Sequence, residues 1–299
     1  MVLELHDGQH SGRAECVPYA RYGESIESVR AEIEAGCRGL HGSEARAEAH
    51  AMPAGAARNA IDCALWELEA KRAGKPVWQC AGLGRAPEPV YTMRTVSVGS
   101  VDEMRTAALG FDGSQVIKVK VDGGQDLERI EAVHQAVPTA RLVVDANEAW
   151  SIEQLAAWLP RLPELGVSVL EQPLHAGRDS ALEGLPREVL LCADESFHDR
   201  QSFSSIADRY DMVNIKLDKA GGLSEAIYCM RLAQSSAFQV MLGCMVSTSL
   251  AIAPALLLAS SAEYVDLDAP LLLETDREGA LHDRASGLLR PSPSIWGAD

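Results

Sequence analysis

The sequence predicts an α/β protein: a (β/α)8-type barrel preceded by a smaller α+β region. Three observations carry this. The texture changes near residue 89, after a Gly- and Pro-bearing linker at 82–89, from mostly helical patterning to alternating strand and helix. Eight short apolar runs then follow, at 90–98, 115–121, 141–146, 167–172, 189–195, 212–217, 239–245 and 264–268. Most lack polar alternation, as expected of parallel strands covered on both faces. Finally, the charged residue ending each strand recurs at a steady interval: 25 residues from Lys120 to Asp145, 26 to Glu171, 23 to Asp194 and 22 to Lys216. A βα unit of that length repeated eight times closes into a barrel whose strand ends open on one face.

The elements follow in order. Residues 2–5 and 13–17 read as strands, with His6-Asp7-Gly8 turning between them. Ser25 caps a helix whose apolar positions Ile26, Val29 and Ile33 keep helical spacing. A stronger helix spans 54–73, with Ala57, Ala60, Ile61, Ala64, Leu65 and Leu68 on one face and Gly74 and Pro76 ending it. Within the barrel, helices are expected at 126–136 and 151–159. The sequence after the last strand is turn-broken and shows no strong eighth helix, so the barrel is expected in (β/α)7β, TIM-like form. The expected domains are 1–88 and 89–299, the tail of the second returning to the first.

Composition narrows the function. With 27 basic against 43 acidic residues the formal charge is −16, which argues against nucleic acid or an anionic membrane as partner. Hydrophobic residues make up 47% but aromatics only 5%, the signature of a globular chain with an aliphatic core. Seven cysteines form no CxxC and point to a reduced, cytoplasmic setting. Eight histidines show no paired spacing, so zinc has little support. The first ten residues carry Glu4, His6 and Asp7 where a signal peptide needs an apolar core, and the run 250–262 is too short to span a bilayer. An exposed barrel flank leaves room for a homo-oligomer.

Chemistry concentrates at the strand ends. Lys118 and Lys120 alternate on one strand and share a face. Two ammonium groups ~5 Å apart repel by roughly 3 kcal/mol at an effective dielectric near 20. That is enough to lower one lysine pKa by about two units, toward the range of a general base. The plain alternative is a lysine pair on an exposed edge strand. Asp145, Glu171 and Asp194 end the next three strands, and Lys216 the one after. A single acid at a strand end is usually a cap or loop residue; three in succession bracketed by lysines suit a hard cation bound by oxygen, Mg²⁺ above all. The second and sixth strands lie on roughly opposite sides of a barrel. Lys120 and Lys216 are therefore expected to face one another across the mouth, a geometry for removing a proton from one face of a carbon acid and returning it to the other. A metal-held carboxylate would stabilise the enediolate formed between; a lysine base with Mg²⁺ is the known pattern of enolase-type sites. Asp266 and Asp268, at i and i+2 on the last strand, present two carboxylates on one face, suited to a cationic group or to simple solvation.

The motifs KVK, VDANEAW, LEQPL, CADES, NIKLDKAGGL and LGCM resemble the muconate-lactonizing branch of the enolase superfamily, and within it the dipeptide epimerases of the L-Ala-D/L-Glu type. The segments ECVPYARYGES and MPAGAARNAIDCALWELEA extend the likeness into an N-terminal capping domain, so it covers nearly the whole chain. The resemblance implies Asp145, Glu171 and Asp194 as Mg²⁺ ligands and Lys120 and Lys216 as the two acid/base lysines, with Lys118 beside the substrate carboxylate. It implies that Asp266 and Asp268 hold a dipeptide's free α-ammonium. Thr95, ending the first strand, is a further substrate contact. Arg21 and Tyr22, in a capping loop over the site, are others, Arg21 pairing with a substrate carboxylate. Relative to the family, the capping domain at 1–88 is expected to lack the first strand and the substrate-covering loop, and the Gly that usually follows the last Asp is Ala269 here.

The function expected is Mg²⁺-dependent epimerisation of an Ala-Glu-like dipeptide by two-base 1,1-proton transfer. The alternatives are an N-acylamino acid racemase, a muconate cycloisomerase or o-succinylbenzoate synthase-type lyase, and an inactive truncated homologue. The lyase and racemase substrates lack an ammonium group, so Asp266 and Asp268 would repel them.

Overall fold

The computed structural model describes residues 1–111 and 113–297. β1 (Val2–His6) and β2 (Ser11–Glu15) form an antiparallel hairpin with Val2 opposite Glu15 and His6 opposite Ser11. β2 starts earlier than expected because Asp7 closes the turn, its Oδ1 accepting from the N–H groups of Gln9 (2.9 Å) and His10 (2.7 Å). Gly12 sits inside this strand. A Cβ there would lie 2.0 Å from the Ala64 carbonyl oxygen, so only glycine lets the hairpin rest on the helix beneath. α1 (Ile26–Arg38) is capped reciprocally by Ser25 and Ser28 and buries Val29 and Ile33. Ile26, expected on that face, is 61% exposed; the packed stripe begins one turn later.

α2 (Ala45–His50) had no counterpart in the sequence reading. α3 (Ala56–Ala73) buries the six expected apolar residues on one face, and Gly74 ends it in a left-handed conformation. Its other face is buried too, with Arg58, Asn59, Asp62 and Glu67, because the helix lies between the hairpin and the barrel. α4 (Val77–Cys80) leads into the linker.

The barrel strands are β4 (Arg94–Val96), β5 (Val116–Lys120), β6 (Arg141–Asp145), β7 (Val167–Glu171), β8 (Leu190–Ala193), β9 (Met212–Lys216), β10 (Gln239–Gly243) and β11 (Tyr264–Asp266). They pair in parallel in chain order. The last meets the first through Met93 N donating to Val265 O (2.8 Å) and Leu267 N donating to Thr92 Oγ1 (2.8 Å), which nearly closes the sheet. The run 90–98, expected as one strand, is broken at Thr92-Met93. β3 (Val90–Tyr91) pairs instead with β13 (Leu288–Leu289), itself paired with β12 (His282–Asp283). Met93, Val143, Val169, Cys192, Met212, Met241 and Tyr264 form one buried cluster at the heart of the barrel.

Outside lie α5 (Val101–Leu109), α6 (Asp126–Ala136), α7 (Ile152–Trp158, with Ser151 as its cap), α8 (Phe203–Ile206), α9 (Leu217–Ala220), α10 (Leu223–Ser235) and α11 (Ser249–Leu256). Among the described residues the one α-helix after β11 is the four-residue α12 (Ala269–Leu272), matching the expectation of no strong eighth helix. The tail then reaches the hairpin domain: Trp296 Nε1 donates to Arg13 O (3.0 Å) and Gly297 N to Glu67 Oε1 (3.1 Å). Among the described residues no helix is long and apolar enough to cross a membrane. All seven cysteines are free.

Candidate active site

Parallel register brings the strand ends level: Lys120 is opposite Asp145, Asp145 opposite Glu171, and Gly243 opposite both Lys216 and Asp266. Lys118 is buried among three carboxylates, its Nζ 2.6 Å from Asp266 Oδ2, 2.8 Å from Glu171 Oε2 and 3.0 Å from Asp145 Oδ2. The contact with Glu171 Oε2 is an ion contact without an aligned hydrogen bond. Burial disfavours the Lys118 charge, but Asp145, Asp266 and Glu171 outweigh it and hold the ammonium well above the usual lysine range. The sequence reading weighed only the repulsion of Lys120. Asp266 reaches Lys118 because a nearly closed barrel brings its last strand round to the first.

Lys120 Nζ donates to Asp145 Oδ2 (2.6 Å) and Asn147 Oδ1 (2.8 Å). At the end of β9, Lys216 Nζ donates to Asp194 Oδ2 (2.6 Å), and Lys219 Nζ to the Asp194 carbonyl (2.5 Å) and carboxylate. Burial opposes the Lys216 charge, yet Asp194 raises its pKa. Asp145 and Asp194 are held below the usual carboxylate range despite burial, by Lys118 and Lys120 in one case and by Lys216 and Lys219 in the other. Burial and the neighbouring Asp145 push Glu171 up. Glu171 Oε1 accepts from Asn214 Nδ2 (2.7 Å).

The remaining expected residues are arranged less simply. Thr95 meets Asp268 through its backbone, N–H donating to Oδ2 at 2.9 Å, and burial plus Asp266 lifts the Asp268 carboxyl to about 6. Arg21 is already engaged: Nε and Nη2 each lie 2.7 Å from Glu148 in a two-pronged pair. Tyr22 packs edge-on to His198, ring centroids 4.5 Å apart. Beside them opens a cleft of about 800 Å³ between the two domains, lined also by Glu24, Met52, Asp218 and Lys219.

Residues 101–284 match the enolase C-terminal domain-like family, and residues 12–82 match the mandelate racemase / muconate lactonizing enzyme N-terminal domain. The chain belongs to the enolase superfamily. An L-Ala-D/L-Glu epimerase of Escherichia coli (strain K12) is 46% identical over 284 residues, 94% of this chain and 88% of the relative. An N-acetyl-D-glutamate racemase of a Pseudoalteromonas species is 41% identical over 304 residues, 99% of this chain and 95% of the relative. Among solved structures, an enolase family member from Agrobacterium tumefaciens with homology to dipeptide epimerases, with bound sodium and L-Ala-L-Glu, has a TM-score of 0.94. It is 43% identical, covering 99% of this chain and 91% of that one. A dipeptide epimerase from Enterococcus faecalis V583, complexed with Mg and L-Leu-L-Tyr, has a TM-score of 0.89 at 26% identity, covering 99% and 89%. Epimerases and racemases are isomerases, and this enolase superfamily member is one too.

Several neighbours of the superfamily motifs escaped the sequence reading. Glu195 follows Asp194; its Oε1 accepts from Asn147 Nδ2 (3.1 Å), its Oε2 is buried without a hydrogen-bond partner, and burial with Asp194 and Asp145 pushes it to about 8. Gln172 ties β7 to the loop after β8, its Oε1 accepting from Asp194 N and Ser196 N at 3.0 Å each. Asn147, Glu148 and Gln172 adopt positive φ of 40°, 68° and 35°, strain of the kind that accumulates at functional sites. The sequence signal was present in DAN, EQP and DES, where a polar residue stands one or two positions after each strand-end acid.

Among the described residues no three His, Cys, Asp or Glu side chains are arranged to hold a metal ion as they stand, because ammonium groups lie between the acids. The donor set is nonetheless all carboxylate oxygen. With Glu195 Oε2 buried and partnerless beside it, its chemistry fits a hard divalent cation.

Proposed function

We propose that this isomerase epimerises a dipeptide of the Ala-Glu kind, with Mg²⁺ held by Asp145, Glu171 and Asp194 and protons carried by Lys120 and Lys216. The observation that supports this most directly is the pair of lysines on β5 and β9, with the acids of β6, β7 and the loop after β8 lying between them in sheet order. Bound Mg²⁺ would supply Lewis-acid stabilisation of the charge that develops on the substrate carboxylate as the α-proton leaves. Lys216, kept as an ammonium by Asp194, is prepared to deliver a proton. Lys120, half-buried against Asp145 and Asn147, takes the proton on the opposite face, and the roles reverse for the other epimer. Lys118 adds a fixed positive charge beneath. Asp268, and Asp266 when Lys118 releases it, receive the substrate's ammonium.

Incubation with L-Ala-L-Glu and Mg²⁺ in D₂O tests this. Deuterium should enter the Glu α-position and the other epimer should accumulate; absence of both with any dipeptide would end the reading.

A second reading is an N-acetylglutamate racemase. It draws on the Pseudoalteromonas relative and on the Asp266–Lys118 ion pair, which lowers the negative charge offered to an ammonium. Side-by-side assays of L-Ala-L-Glu and N-acetyl-D-glutamate separate the two.

A further inference from the structure

One face of α3 grips the turn that presents Lys216. Arg58, buried in the capping domain, donates from Nη2 to Ala220 O (2.5 Å) and from Nε to Gly221 O (3.1 Å). One turn along the helix, Asp62 accepts from Ser224 N (2.9 Å) and Oγ (2.6 Å), and Trp66 Nε1 donates to the same hydroxyl (2.8 Å). Asn59 Nδ2 donates to Asp218 Oδ1 (2.8 Å). Four side chains of one helix thus hold residues 218–224, the segment that leaves β9 directly after Lys216.

The fit is close enough to dictate sequence. Gly221 and Gly222 have φ of 80° and 114°, and a Cβ would stand 2.2 Å from Arg58 Nε at the first and 2.5 Å from Asp62 Oδ2 at the second. α9 lies inside the grip. Its last carbonyls, which a short helix leaves without partners, are satisfied by a guanidinium from the other domain. Lys216 borders α9 at one end and Lys219 lies within it, and both ammonium groups meet Asp194. Lys120, by contrast, is held from within the barrel by Asp145 and Asn147.

We infer that Arg58 and Asp62 are positioning residues for Lys216, so that the capping helix sets the placement of one of the two acid/base groups and not the other. This rests on the two-lysine reading above. Its signature is asymmetric, because each lysine exchanges the α-proton of one stereoisomer. Loosening the grip should slow exchange from the isomer served by Lys216 and spare the other.

The test measures α-proton exchange in D₂O separately for L-Ala-L-Glu and L-Ala-D-Glu, with Mg²⁺. Lys216→Ala first identifies which isomer depends on Lys216. Arg58→Lys keeps the charge but loses the fork that spans two carbonyls. It should cut exchange of that isomer on the order of tenfold or more, since a displacement near 1 Å can cost about a hundredfold, while the other isomer changes less than about threefold. Asp62→Asn reads the same ratio if Arg58→Lys does not fold. Arg13→Ala, which releases the capping domain from the Ile295 carbonyl without touching this turn, should leave the ratio as in the parent. Equal loss for both isomers would overturn the positioning role and leave the two-base reading intact. Failure of the unaltered protein to exchange either isomer would overturn both.

Discussion

At single residues, the site departs from what its neighbours in sequence suggest. Lys118 and Lys120 were legible as a shared-face pair, but sequence separation hid Asp266, 148 residues away, which binds Lys118. The strand-end acids could be read because each ends an apolar run; Lys219 could not, since its role depends on α9 folding back toward Asp194. Lys120→Ala should reduce epimerisation by about 10²- to 10⁴-fold, read by circular dichroism of the product mixture, while a rate within a few-fold of the parent would remove it from the chemistry. Asp218 offers a separate test. Burial lifts its carboxyl to about 7 from an ordinary 3.8. A raised folded-state pKa on an acid costs nothing below 3.8, an increasing amount as pH climbs toward 7, and its full penalty above that. Asp218→Asn keeps an oxygen to accept from Val17 N and Asn59 Nδ2 while removing the charge. It should raise stability by up to roughly 4 kcal/mol at pH 8 and little at pH 4. Melting temperatures at the two pH values, if shifted equally, would contradict this.

At the level of elements, all eight barrel strands were legible because burial on both faces leaves short, largely apolar runs. Their ends were set less accurately, for reasons that are tertiary. The first run is cut at Thr92-Met93 because its opening residues pair with β13, almost 200 residues later, and no local signal marks that partner. The second hairpin strand begins at Ser11 rather than at 13, because Gly12 lets the strand approach α3 and no local signal marks that contact. Gly12→Ala should lower the urea midpoint, with a loss of roughly 1–3 kcal/mol from overpacking against Ala64. An unchanged midpoint would mean that the hairpin can lift off the helix at no cost.

For the whole molecule, acidity and metal are linked. The chain carries 43 acidic residues, and Asp145, Glu171, Asp194 and Glu195 are all buried on one rim. A divalent cation binding there should stabilise the folded state by mass action, by about 2.7 kcal/mol at a hundredfold excess over its dissociation constant. Millimolar Mg²⁺ should therefore raise the melting temperature, and EDTA should lower it and abolish epimerisation until Mg²⁺ is restored. No thermal shift with Mg²⁺ would count against these acids as ligands.

Arg13 and Glu67 receive Trp296 and Gly297 from the far end of the chain. On the ribosome, the hairpin and α3 emerge long before those partners exist, and so does the Ser224 turn that Asp62 binds. Arg58 and Asp62 must therefore wait for their partners until residues 220–224 have been made, and Trp296 and Gly297 arrive later still. Loss of residues 290–297 would strip Arg13 and Glu67 of Trp296 and Gly297, leaving the earliest-made part of the molecule, rather than the latest, exposed to chaperones and proteases.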